Sequence, residues 1–281
     1  MLIFNIPDYS ITFVMLLANP MDNLRIVTLT TDWNQNDYYV GILCGRLLSI
    51  EPTLRIVELS HRVPPFDYIQ AAFIMRGCFE NFPPGTIHIC MVNSDSTTSK
   101  QLLLFELKGH FMIVPDNGIV GLITEVAPDR VYSIPFEEHS SFGSLSAVAS
   151  AMNMLLFNSN LADIALMAGT YKQNINIRAA SDESSITGSV IYVDSYQNAI
   201  TNITREQFEQ VRKGRKFSIY VQSFSYKIEE IVENYADVED GDMLALFNSL
   251  NLLEIAIRNG FLTELLALSV GSSIMVKFTN R

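Results

Sequence analysis

The chain has 281 residues, 48% of them hydrophobic and 17% charged, which suits two domains and excludes a disordered polymer. A formal net charge of −11, with no basic block or stripe, argues against a nucleic-acid partner. Cys44, Cys78 and Cys90 lack CxxC spacing and lie in apolar runs, so neither a disulfide framework nor a zinc site is expected, and a reducing cytoplasm is.

Residues 1–20 are apolar but have no basic n-region, are interrupted by Pro7 and Asp8, and are too short to span a bilayer. Residues 1–23 therefore read as an extension or an over-long start, with Met21 just ahead of the first strand. No other stretch approaches 18 uninterrupted apolar residues, so no membrane partner is expected. Strand Leu24–Leu29 runs into Thr30-Thr31-Asp32. A helix over Tyr39–Ile50, a strand over Arg55–Leu59 ending at Ser60-His61, and a helix over Asp67–Glu80 capped by Asp67 follow. Then come strands Thr86–Val92, Leu102–Glu106 and Phe111–Val114, and a small-residue helix over Ser144–Asn158. This β-α-β-α-β order predicts an α/β N-terminal domain over 24–170, with a mostly parallel sheet covered on both faces. The polar stretch 171–187 reads as a linker. Beyond it, short strands over Ser189–Asp194, Ala199–Ile203, Phe217–Ser223, Met243–Phe247 and Ser273–Phe278, with a helix over Thr263–Leu268, predict an all-β barrel domain over 188–281.

In an open α/β sheet, ligands sit at the carboxyl ends of the strands. Asp32, between a strand and a helix, is placed to accept from a ribose diol or to cap the helix. Asp116 and Asn117 in Pro115-Asp116-Asn117-Gly118 read equally as turn chemistry. His61 is either a general base or structural, and His88 and His110 have no partner in sequence. No GxGxxG, Walker, HExxH or GxSxG motif is present, so the residues alone name no reaction and no metal.

Six segments go further when taken together: TTDWNQNDYYVG (30–41), SHRVPPFDYIQAA (60–72), FPPGTIHICMV (82–92), PDNG (115–118), VIYVDSYQNAITNI (190–203) and NSLNLLEIAIRNG (248–260). In order and spacing they resemble the S-adenosylmethionine hydroxide adenosyltransferase family, the hydrolase relatives of the fluorinating and chlorinating enzymes. The resemblance implies an α/β domain followed by a β-barrel, and trimers that hold each nucleoside between one subunit's N-terminal domain and its neighbour's C-terminal domain. It implies S-adenosylmethionine or adenosine as ligand and no separate cofactor. Asp32 would bind the ribose hydroxyls, and PDNG brings Asp116 and Asn117 into the ligand-binding set. Asp194, Tyr196 and Asn198 match a D-x-F-G-N segment that meets the methionine end or the adenine. The segment Asn248 to Ala256, with Ser249 and Glu254, would hold adenine and the amino-acid portion.

The implied chemistry is displacement at C5′, where water or hydroxide attacks in line and neutral methionine leaves from a sulfonium. The family's hydrolases use an Asp-Arg-His set, with Asp and Arg in a VDPGVG-x-x-R-type loop and His in an F-H-G segment. Here Asn93 stands at the Asp position, Lys100 near the Arg, and Gly143 of Phe142-Gly143-Ser144 at the His, with His139 four residues upstream. Asn cannot take a proton from water, and Lys offers a point charge rather than a fork. Asn93 and Lys100 are expected to line the reaction centre with Ser144, which stands near a serine that the halogenating relatives carry by the halide. The expected function is hydrolysis of S-adenosylmethionine. The alternatives are a non-catalytic binder or sensor and a halogenase.

Overall fold

The computed structural model describes residues 25–95, 99–136, 142–157 and 166–279. The chain divides into two compact units at the Asn174–Ile175 junction. The first carries β1 (Ile26–Thr31), α1 (Tyr38–Ile50), β2 (Arg55–Ser60), α2 (Tyr68–Cys78), β3 (Ile87–Met91), β4 (Gln101–Leu107), β5 (His110–Pro115), α3 (Val120–Ile123), β6 (Val131–Pro135), α4 (Gly143–Phe157) and β7 (Leu166–Met167). Its sheet runs β2-β1-β3-β5-β4-β6-β7. The first four strands are parallel, and β4, β6 and β7 join antiparallel.

Period-two side-chain alternation sorts these strands onto two buried faces. Ile87, Ile89 and Met91 of β3 join Leu102 and Leu104 of β4 against Leu43 and Leu47 of α1 and Leu145, Val148 and Met152 of α4. Cys90, Val92, Leu103 and Phe105 point the other way, against Ala71 and Met75 of α2 and Val120 of α3. The mostly parallel, doubly covered sheet is the one expected. Asp67 caps α2, accepting from the Gln70 N–H at 3.0 Å. Strand β6, helix α3 and strand β7 are additions that the sequence reading did not identify.

The second unit carries β8 (Ala180–Ser181), β9 (Ser185–Val193), β10 (Ala199–Thr204), α5 (Arg205–Arg212), β11 (Lys216–Val221), β12 (Ser223–Ile228), β13 (Met243–Phe247), β14 (Leu252–Ile257), α6 (Leu262–Leu265) and β15 (Ser273–Thr279). All pairings are antiparallel, in the order β12-β11-β15-β9-β10-β14-β13, with β8 on β9, giving a nearly closed barrel. The fold class expected for this half is therefore correct. The stretch 171–187 contains β8 and the start of β9. Helix α5 and strands β12 and β14 are again structure beyond the reading. On α5 the buried Phe208 meets Phe217, Phe247 and Phe278 edge-on at centroid distances of 5.1, 5.4 and 5.5 Å, filling the barrel core.

Candidate active site

The parallel strands β2, β1, β3 and β5 end at Ser60, Thr31, Met91 and Pro115, so the segments that follow share one edge of the sheet. Because β4 runs back from that edge, Lys100, just ahead of it, lies there too. Asp32 comes directly after β1. Its Oδ2 accepts the Phe66 N–H at 2.9 Å and the Asn93 N–H at 3.1 Å. Both donors are in the left-handed region, Phe66 at φ 69° and Asn93 at φ 52°, a conformation that is costly for a bulky side chain such as Phe. Oδ1 has no hydrogen-bond partner among the described residues. A carboxylate with one oxygen fixed and the other open is suited to a hydroxyl-bearing ligand. Beside it, burial pushes the Cys90 thiol up to about 12, the Asp32 charge adding to the effect, so Cys90 is an inert core residue.

The loop after β3 gathers the remaining reaction-centre candidates. The Asp95 carboxylate accepts the Ser144 N–H at 3.2 Å on Oδ1, and on Oδ2 it accepts the Ser94 hydroxyl at 2.8 Å and the Ser144 hydroxyl. Lys100 Nζ donates to the Asp95 carbonyl at 2.6 Å. Ser144 opens the second position of α4 and is fully buried, and Ser94 is nearly so. Of the expected catalytic residues, Ser144 and Lys100 thus meet at Asp95. Asn93 contributes its backbone N–H to Asp32, and Gly143 begins the helix. His139 lies outside the described residues.

Asp116 and Asn117 are committed to the fold. Buried Asp116 accepts from the Lys172 N–H at 2.7 Å and Gln101 Nε2 at 2.8 Å, and its carbonyl accepts from Ser99 Oγ at 3.2 Å. Asn117 Nδ2 donates to the Val92 carbonyl at 3.1 Å while its Oδ1 accepts from the Ile119 N–H. His61 is also buried, its Nδ1 2.9 Å from the Thr31 hydroxyl and its Nε2 3.7 Å from Glu58. Burial pushes its pKa below the ordinary histidine value, with the Glu58 charge opposing. It ties the end of β1 to β2 rather than facing solvent.

The second unit holds its own polar group. Asp194 closes the β9–β10 turn, accepting from the Tyr196 N–H at 2.9 Å, the Asn198 N–H at 2.8 Å and Asn198 Nδ2 at 3.1 Å. Gln197 takes the left-handed place of the expected glycine at φ 63°. Tyr196 is exposed. On β14, Leu253 and Ile255 face the barrel core, while Glu254 and Ala256 face the other way. Buried Glu254 accepts from the Tyr235 hydroxyl and from Asn248 Nδ2 at 3.1 Å, and Ala256 packs with Leu244 and Leu246. Burial raises the Tyr235 pKa, the hydrogen bond to Glu254 raises it further, and the charges of Glu254 and Asp194 add to the effect. Asn248 Oδ1 accepts from the Leu250 and Leu252 N–H groups, and Ser249 is exposed at the turn.

Several residues at these sites were not singled out from the sequence. Asp95 and Ser94 sit inside a plain Asn-Ser-Asp-Ser run. Trp33 and Tyr39 meet Phe142 at 6.1 and 4.3 Å, forming an aromatic wall beside Ser144. Tyr235 comes from a polar segment remote in sequence from Glu254. Among the described residues no three His, Cys, Asp or Glu side chains form a metal site.

Comparison with known proteins bears on both units. Residues 27–164 match the model of the SAM hydroxide adenosyltransferase N-terminal domain, and residues 188–275 match that of its C-terminal domain. The chain is 26% identical over 251 residues to a protein from Methanocaldococcus jannaschii named (R)-S-adenosyl-L-methionine hydrolase, covering 84% of this chain and 89% of that one. A protein of the same name from Salinispora arenicola is 21% identical over 264 residues, covering 89% and 97%. A crystal structure of an uncharacterized conserved protein from Thermotoga maritima superposes with a TM-score of 0.76 at 22% identity, covering 90% of this chain and 99% of that one.

Proposed function

The chain belongs to the SAM hydroxide adenosyltransferase family, and from that premise we propose that it hydrolyses S-adenosylmethionine to adenosine and methionine. Attack at C5′ expels a neutral thioether from a sulfonium, so the leaving group needs no acid. What the protein must supply is orientation of the nucleoside and of water. The observation that carries this reading is Asp32, with Oδ2 pinned by two backbone N–H groups and Oδ1 open at the carboxyl edge of the sheet. That arrangement suits the two hydroxyls of a ribose, which then directs C5′ toward the loop bearing Asp95 and Lys100. The names of the relatives run with hydrolysis, and neither a non-catalytic binder nor a halogenase draws support from them.

In this reading Asp194, Tyr196 and Asn198 meet the methionine end or the adenine, and Asn248, Ser249, Glu254 and Ala256 line the rest. Asp116 and Asn117 act on the ligand through the loops they hold. The active form is a cytoplasmic homotrimer that completes each site between subunits, in keeping with the family resemblance. No helix among the described residues is long and apolar enough to cross a membrane. The test is incubation of purified protein with S-adenosylmethionine and chromatography of the products. Adenosine and methionine in equal amounts support the reading; bound but unchanged S-adenosylmethionine contradicts it.

A further inference from the structure

We propose that Asp95 is the catalytic carboxylate of this chain: it takes the proton of the attacking water and, by its charge, keeps anionic nucleophiles out. The inference rests on the hydrolytic reading above and names the residue that makes water the nucleophile. The sequence places a proton-inert Asn93 where a carboxylate is expected. Two residues of chain span at most about 7 Å, so Asp95 stays within reach of whatever Asp32 and the Asn93 N–H hold.

The surroundings of Asp95 are built rather than incidental. One backbone N–H of Ser144, the Ser144 and Ser94 hydroxyls, and Lys100 Nζ converge on this residue from two separate segments. Both serines are buried, and the N–H belongs to the first turn of a 15-residue helix. Hydroxyls, a helix N-terminus and an ammonium are the donors that a small anion requires. Here the protein's own carboxylate fills the hydroxyls and the N–H, and the Asp95 carbonyl takes the ammonium. A second anion beside Asp95 meets a charge repulsion that strengthens as water is excluded from the site. Water carries no such penalty.

Among the described residues the donor count also leaves a place for water. A carboxylate offers about four acceptor positions, of which Ser144 N–H, Ser144 Oγ–H and Ser94 Oγ–H occupy three. The fourth accepts the proton of the nucleophile. As the water oxygen bonds to C5′, the C5′–S bond breaks and its electron pair returns to sulfur as the thioether of methionine. The proton of the resulting oxonium passes to Asp95 and then to solvent. An oxonium is far more acidic than a carboxylic acid, so a carboxylate held by three donors is basic enough. Lys100, by fixing the Asp95 carbonyl, is a positioning residue.

The test compares wild type, Asp95→Ala and Asp95→Asn. Three quantities are measured: S-adenosylmethionine affinity by calorimetry, adenosine formation, and chloride-dependent thermal stabilisation against a nitrate control. Both variants are expected to bind S-adenosylmethionine within about threefold of wild type and to form adenosine at least about a hundredfold more slowly, the usual scale for loss of a proton acceptor. Chloride is expected to stabilise Asp95→Ala and not wild type, because removing the carboxylate frees its donors. Wild-type adenosine formation by Asp95→Asn, the variant that keeps the shape, overturns the proton role. Equal chloride stabilisation in wild type and Asp95→Ala overturns the exclusion. A wild type that binds but does not turn over overturns the hydrolytic reading instead, and the chloride comparison still decides what Asp95 excludes.

Discussion

The turn after β5 and the loop after β3 leave the same edge of the same sheet, and both are polar. They differ in where their polarity goes. Asp116 and Asn117 spend theirs on Lys172, Gln101, Val92 and Ile119. Asp32, which anchors the β3 loop through Asn93, has one oxygen without a partner among the described residues, and half-buried Asp95 has one of about four acceptor positions without one among them. The lesson is that a polar strand end marks a site where its carboxylate stays partly exposed, as those of Asp32 and Asp95 do, and not where it is buried, as that of Asp116 is. A buried carboxylate held on both oxygens stabilises a fold; a half-buried one held from behind presents its outer face to a ligand.

Four changes would break or sharpen that contrast. The largest effect belongs to Asp32→Ala, which removes the ligand-facing oxygen and unties two loops. S-adenosylmethionine affinity measured by calorimetry should fall by about a hundredfold or more, since each hydrogen bond to a charged group contributes about 1.5–3 kcal/mol. Asp116→Ala should do the opposite in kind. Chemical denaturation should report a loss of about 3 kcal/mol, from stranding the Lys172 N–H and Gln101 Nε2, while the affinity of the folded protein moves by less than about threefold. A hundredfold loss of affinity there would erase the distinction between the two loops.

The third concerns the opposite end of the sheet. His88 is buried on β3, with Nδ1 2.7 Å from the Thr28 hydroxyl and Nε2 3.2 Å from His110 Nδ1. Burial pushes its pKa down to about 4, and the neighbouring His110 adds to the effect. The folded state therefore binds this proton less readily than the unfolded chain. Stability is full above the ordinary value of 6.5 and is lost as pH falls toward 4, by about 3 kcal/mol in all. Thermal melts across that window should show a steeper decline for wild type than for His88→Gln, which keeps a polar side chain but does not titrate. The smallest effect is that of Phe66→Gly. The phenyl is exposed and its backbone sits at φ 69°, so relief of strain should raise stability by about 1 kcal/mol, read as a few degrees in Tm.

Much of this architecture was legible because its signals are local. The apolar runs of β1 and β3, the Asp67 cap and the β-α-β order mark out the first unit in the sequence alone. Strand β14 escaped because Glu254 breaks its apolar run, and that break is the mark of a buried carboxylate paired with Tyr235 and Asn248. Helix α5 escaped because REQFEQVR carries too few apolar residues for a stripe, yet its single Phe208 fills the barrel. Asp32 and Ser144 were identifiable from position and resemblance. Asp95 was not, because its meaning depends on contacts 49 residues away with Ser144, which no spacing rule reveals.

Incubation with S-adenosylmethionine in water enriched in the heavy oxygen isotope tests the central claim most directly. The account predicts adenosine carrying one heavy oxygen at its 5′ hydroxyl and methionine carrying none, formed by wild type and nearly abolished in Asp95→Asn. Unlabelled adenosine, or bound S-adenosylmethionine recovered intact from wild type, would contradict it.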